Sequence, residues 1–294
     1  MFRVTPRHLF FVGIDSDGCV FDTMELKHKE CFIPNLIRVY GLQGISRYVR
    51  EAAEFVNLYS RSRGVNRFPG LIETFQWLQV RPEVAARGFK IEIPESLRKW
   101  VHEETHLGNP ALEARVRQTE DPALQQALTW SQAVNGSVAE TVRGVPPFAL
   151  ARESVTRLGE HCDLLVVSGT PGEALQAEWQ EHDLAQYVQA ICGQEQGSKK
   201  QLLANAAAYA PGHALMIGDA PGDHAAAAAN DCLFFPIVPG AEESSWQEFH
   251  DQGIDRFLQG TFRGAYQQRL LAEFYRHLPE RPPWAMAGGQ TERS

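Results

Sequence analysis

Three short apolar runs stand out along the chain, and each breaks off into acids, hydroxyls or glycines: LFFVGIDSDG at 9–18, DLLVVSGTPG at 163–172 and HALMIGDAPGD at 213–223. Their hydrophobic positions are continuous rather than alternating. That is the pattern of strands covered on both faces, so the runs predict buried parallel strands. VQAIC at 188–192 and CLFFPI at 232–237 are weaker candidates of the same kind. Between them lie the helix-forming stretches GEALQAEWQEH, SKKQLLANAAAYA and DHAAAAAN. From residue 150 onward strand and helix therefore alternate, which predicts an α/β fold with a doubly wound, Rossmann-like parallel sheet. Ligands of such sheets sit beyond the carboxyl ends of the strands, so the three polar endings should converge.

The first run is separated from the second by roughly 140 residues, far more than one crossover helix needs. The spacing predicts a discontinuous core of residues 1–24 and 150–275, interrupted by a mainly α-helical domain over 25–149. Within the insertion, Ser46 is placed to cap a helix that puts Val49, Ala52, Val56 and Tyr59 on one face. Asn109-Pro110 and Asp121-Pro122 read as further helix starts. FKIEI at 89–93 is the main strand signal there. The stretch 281–294, RPPWAMAGGQTERS, has no periodicity and predicts a mobile terminus.

Composition narrows the class. A chain of 294 residues with 44% hydrophobic and 22% charged residues is globular in character, and its net charge of -8 excludes a general nucleic-acid binder. Any anion site must therefore be local. Five scattered cysteines without a CxxC pair read as reduced, buried thiols. The apolar run near the amino terminus is too short for a signal peptide, and no stretch reaches the ~20 apolar residues of a membrane span. A cytoplasmic protein without membrane partners is the expectation, and the sequence leaves its oligomeric state open.

The first polar ending, Asp15-Ser16-Asp17-Gly18 with Asp22 following, sets two acids two residues apart at a strand end, where both can face one site. Such a pair suits a carboxylate nucleophile and a proton donor. The second ending carries Ser168-Gly169, with Thr170 as the competing hydroxyl, and the third carries Asp219 and Asp223, hard oxygen donors that suit Mg²⁺. Gln196-Gly197-Ser198-Lys199-Lys200 supplies the cation that so many acids around a phosphate require. Taken singly, each of these segments is also an ordinary turn or helix cap. The four in this order resemble the signature of the haloacid dehalogenase superfamily, DxDGxxxD, a strand ending in Ser or Thr, a lysine, and GDxxxD.

The resemblance implies Asp15 as nucleophile, Asp17 as general acid and base, Ser168 and Lys199 on the phosphoryl group, and Gly18 and Gly169 near it, with Lys199 preferred over Lys200 for its phasing. It further implies Mg²⁺ held by Asp15, the carbonyl of Asp17, Asp219 and Asp223, and a cap over the core. Cys19 stands where relatives usually carry Thr. The activity implied is phosphomonoester hydrolysis of a small phosphorylated metabolite through an aspartyl-phosphate. Alternatives are a phosphomutase, or a phosphonoacetaldehyde-hydrolase-like enzyme, which lacks an acid at the Asp17 position and needs a lysine such as Lys27, Lys29, Lys90 or Lys99. A receiver-type signalling module is the non-enzymatic alternative, and the large insertion opposes it. In the insertion, the loop at 60–70 holds Arg61, Arg63 and Arg67, of which Arg63 and Arg67 are candidate substrate contacts. A solvated loop paired with Glu51 and Glu54 is the competing reading. His102 and His106 read as surface residues.

Overall fold

The computed structural model describes residues 3–287, and they fall into two compact units. Among them, one comprises residues 3–24 and 144–278, the other 25–143 and 279–287.

The first unit is built on five parallel strands, β1 Phe10–Ile14, β2 Cys162–Val167, β3 Ala190–Cys192, β4 Ala214–Gly218 and β5 Leu233–Pro236, in the order β3-β2-β1-β4-β5. All five lie on runs picked out by their hydrophobicity. The reason the runs are unbroken is visible in the packing. Val12, Ile14, Leu164, Val166 and Ile217 point into one core with Trp179, Trp246 and Phe249. Phe11, Leu165, Val167 and Met216 point into another with Leu202, Leu203 and Phe274. Each strand is therefore apolar at odd and even positions alike. Gly13 lets a helix approach β1 closely, because a Cβ there would lie 2.5 Å from Leu203 Cδ2. With no side chain in the way, the helix Lys199–Leu203 packs directly on β1, two residues before the strand gives way to Asp15.

The amino-terminal segment is tied to the sheet by an acid that the hydrophobic pattern hides. Asp163, at the head of the second apolar run and buried, accepts from the backbone amides of Arg7 (2.9 Å) and His8 (3.1 Å), from the Tyr209 hydroxyl (2.8 Å) and from Gln189 Nε2 (2.5 Å). Burial alone would raise its pKa, but the Arg7 and His8 amides and the Tyr209 hydroxyl outweigh it and hold the carboxyl below its ordinary value. Asp163→Ala removes the buried acceptor that several part-buried hydrogen bonds share and is expected to cost about 3 kcal/mol in urea unfolding at pH 7. Because the folded-state pKa is depressed, this stabilisation is complete above the ordinary carboxyl pKa and is lost as pH falls through the lower folded value. The gap between wild type and variant should therefore hold from pH 7 to pH 5 and close only below pH ~4.

The second unit is helical, with Ser46–Leu58, Arg67–Gln79, Glu95–Glu103, Asn109–Thr119 and Pro122–Thr141 around Val49, Leu71, Leu112 and Trp130. Of the three helix starts expected here, Asp121 caps as its position predicts, accepting from the amides of Ala123 and Leu124. Ser46 is instead the first helical residue and caps nothing, and Asn109 accepts from the Ser131 hydroxyl (2.6 Å). FKIEI forms no strand; Phe89, Ile91 and Ile93 pack on the helical core. In the stretch expected to be mobile, Pro283–Ala287 form a short helix whose Trp284 packs edge-on against Phe55 beneath the Arg81 guanidinium, 4.4 Å from its ring. Residues 288–294 lie outside the described residues.

Candidate active site

The carboxyl ends of β1 and β4 are adjacent, and the Asp15 amide donates to the Ile217 carbonyl at 3.0 Å. This brings Asp15 beside the Gly218-Asp219 ending of β4. One carboxylate oxygen from each of Asp15, Asp219 and Asp223 lies within 4.8 Å of the others, and all three residues are buried. Asp223 comes from the first turn of the helix Pro221–Ala228, where it accepts from the Ala220 amide at 3.1 Å. Gly218 makes room for it, since a Cβ there would stand 2.5 Å from Asp223 Oδ2.

Lys199 completes the cluster. Its Nζ donates to Asp15 Oδ2 and to Asp223 Oδ1, each at 2.5 Å. Ser198 and Gln201 form a reciprocal capping box that starts the helix at Lys199, while Lys200 faces solvent. Three carboxylates against one ammonium leave two negative charges when all are ionised. Burial pushes the Asp15 carboxyl up to about 6; Lys199 opposes the rise and Asp219 adds to it. Asp223 is likewise pushed up to about 6 by burial, against Lys199 and with Asp15. Burial would lower the Lys199 pKa, but Asp15 and Asp223 hold the amine firmly protonated. Buried hard oxygen donors with unbalanced negative charge are the donor set that a divalent cation such as Mg²⁺ takes.

Asp17 does not join that cluster through its side chain. Its Oδ2 accepts from the Thr170 hydroxyl at 2.6 Å, and its Oδ1 from the Thr23 hydroxyl. Gly18 is in the left-handed region at φ +73°, which turns the chain sharply after Asp17. Its amide, expected near a phosphate, donates to the Phe21 carbonyl at 2.8 Å. The turn is braced from below, with Trp179 Nε1 donating to the buried Ser16 hydroxyl (3.0 Å) and that hydroxyl to Glu178 (3.1 Å). Ser168 sits buried at the end of β2, the other neighbour of β1, with its Oγ accepting from the Thr170 amide at 3.2 Å. Gly169 is exposed. Cys19 is buried and free like the other four cysteines, with its thiol against the Ile217 carbonyl.

Arg63 and Arg67 belong to the other unit, and there both are engaged. Arg63 is buried and donates to the Leu58 carbonyl (2.8 Å), closing the helix Ser46–Leu58. Arg67 donates to Asn135 Oδ1 (2.7 Å) and the Ser131 hydroxyl (2.9 Å) beneath the Phe32 ring, and burial lowers its pKa to about 10. Neither is a solvated partner of Glu51, which pairs with Arg47 and Arg81. His102 and His106 are exposed. Thr23, Ser16 and Trp179 contribute without a role assigned from the sequence, and Thr170, named there only as the competitor of Ser168, holds Asp17 instead.

No family model and no curated protein matches the chain. Solved structures do. A candidate phosphoglycolate phosphatase from Lactobacillus delbrueckii is 13% identical, with 77% of this chain and 85% of that one covered at a TM-score of 0.44. A candidate β-phosphoglucomutase from Bacteroides vulgatus is 15% identical over 88% and 93% (TM-score 0.43). A haloacid dehalogenase superfamily hydrolase from Geobacter sulfurreducens is 16% identical over 78% and 88% (TM-score 0.38). Likenesses this distant carry no activity across. The structure itself shows an α/β fold, a five-stranded parallel sheet with a helical unit inserted in the chain between its first and second strands. Among the described residues no helix is long and apolar enough to cross a membrane.

Proposed function

We propose that the protein is a Mg²⁺-dependent phosphomonoester hydrolase acting on a small phosphorylated metabolite, with Asp15 as nucleophile and Asp17 as general acid and base. The observation that carries this reading is the convergence of Asp15, Lys199, Asp219 and Asp223 at one point, with a second, separately held acid two residues from the first. Bound Mg²⁺ would be held by Asp15 and Asp219, with Asp223 at its edge and the Asp17 carbonyl contributing, and would neutralise phosphate charge. Lys199 keeps the Asp15 carboxylate in place and balances its charge.

In the first step an Asp15 oxygen attacks phosphorus, and the bond to the leaving oxygen breaks with its electron pair. Asp17 supplies the proton that makes an alcohol of it. In the second step water attacks the aspartyl-phosphate while Asp17 takes its proton, which restores the Asp15 carboxylate and the protonated Asp17 and releases phosphate. Ser168 is a hydroxyl donor for a phosphoryl oxygen, and Gly169, without a side chain, leaves that approach open. On phosphonate chemistry, Lys29 is held protonated: burial would lower its pKa, but Glu25 and Tyr59 raise it above its ordinary value.

Incubation with a panel of phosphorylated metabolites and Mg²⁺, read by free phosphate, tests the proposal. Release from at least one member, abolished by EDTA and restored by Mg²⁺, is expected. Conversion of a sugar phosphate to its isomer without free phosphate would make the protein a mutase, and silence across the panel would overturn the reading.

A further inference from the structure

Asp17 is the acid on which leaving-group departure depends, and its carboxyl group is held at both oxygens by threonines. One of these, Thr170, is itself unusually constrained. Its carbonyl accepts from the Gln194 amide (3.1 Å), and its amide donates to Ser168 Oγ (3.2 Å). Two residues on, the Gly172 amide donates to Glu195 Oε2 (3.1 Å), and two residues back the Ser168 amide donates to the Cys192 carbonyl (3.0 Å). The loops at 168–172 and 192–195 are thus laced together on both sides of Thr170. Gly193 lets them meet: a Cβ there would stand 2.6 Å from the Thr170 carbonyl oxygen and 2.5 Å from the Gly172 nitrogen, contacts with rigid backbone.

We infer that Thr170 is a positioning residue for proton transfer by Asp17, and that the loop after β3 acts through it, an inference that rests on the phosphohydrolase reading. Two hydroxyls on two different oxygens fix the plane of the carboxyl group. A general acid works only when its proton lies on the line to the leaving oxygen. Thr170 reaches Asp17 from a braced loop of the same unit, so its hydroxyl sets that plane, while its partial exposure leaves the core packing independent of it. Phosphorus is still attacked by Asp15 when Thr170 is changed; what suffers is the protonation of a leaving oxygen that cannot depart as an anion.

The test compares two aryl-bearing esters that differ in this respect. para-Nitrophenyl phosphate releases a stable phenolate and needs little protonation, whereas benzyl phosphate must leave as an alcohol. kcat/KM is the readout because it reports the first phosphoryl transfer, before the step that the two esters share. Thr170→Val is expected to lower kcat/KM for benzyl phosphate about a hundredfold while changing that for para-nitrophenyl phosphate less than about threefold, the scale of a misplaced general acid. Thr170→Ser, which keeps the hydroxyl, should restore the benzyl ester to within about fivefold of wild type. Thr170→Ala provides a second removal of the hydroxyl should the valine variant fold poorly. Equal losses on both esters, or a serine variant as impaired as valine, would overturn the inference while leaving the phosphohydrolase reading intact. Absence of phosphate release from both esters by wild type would take down both.

Discussion

Asparagine in place of Asp15 should abolish phosphate release without loosening the fold. The amide has nearly the shape of the carboxylate but is no nucleophile towards phosphorus, so a loss of at least about ten-thousandfold in kcat is expected, the scale of a deleted nucleophile. Stability should move the other way. The Asp15 carboxyl titrates near 6 in the folded protein against 3.8 ordinarily, because burial and Asp219 outweigh Lys199. A raised folded-state pKa in an acid means that the ionised group opposes folding above that pH and has no such effect below the ordinary value. The shift corresponds to about 3 kcal/mol at neutral pH. Metal-free Asp15→Asn should thus melt no lower than wild type at pH 7, and its advantage should shrink towards pH 4. A variant that is dead because it is unfolded would show the reverse, and one that retains turnover would remove Asp15 from the chemistry.

Asp15 was legible along the chain because it interrupts an apolar run abruptly, as do the acids at the end of β4. The strands themselves were legible because each serves two cores, so their residues are apolar regardless of face. Lys199 over Lys200 rests in the sequence only on the resemblance and its phasing; the Ser198 to Gln201 capping box that starts the helix at Lys199 is what the structure adds. The features that stayed hidden depend on distant pairings. Thr170 and Asp17 are 153 residues apart, and nothing local says that one will hold the other. Asp163 looks like a flaw in a strand until the amides of Arg7 and His8 are folded onto it. Arg63 and Arg67 were conspicuous as charges in an acidic chain, yet the helical unit uses both on its own carbonyls, hydroxyls and amides. Charge shows on a sequence; the partner that neutralises or hydrogen-bonds it does not.

Lys199→Met should be the most destabilising change at the site, and the one that a divalent cation can most visibly repair. Among the described residues Lys199 is the one cation bridging Asp15 and Asp223, and both carboxyls are buried. Methionine fills similar volume but leaves those charges uncompensated, and breaking a buried ion pair from one side costs about 3–5 kcal/mol. The sign of the pH dependence is fixed by the same groups. Both acids already titrate near 6, and without the lysine they rise further, so folding is opposed above that range and relieved as both take up protons. Denaturant melts of metal-free protein should show the full deficit at pH 7.5, less at pH 6 and little near pH 4, where acids of ordinary pKa ~3.9 are protonated in either state. Mg²⁺ should stabilise wild type and variant alike, and the variant more, because a cation bound among three carboxylates replaces part of the missing charge. Equal stability of the two proteins at every pH would show that the lysine does not balance the cluster, and a variant indifferent to millimolar Mg²⁺ would remove the metal from Asp15, Asp219 and Asp223.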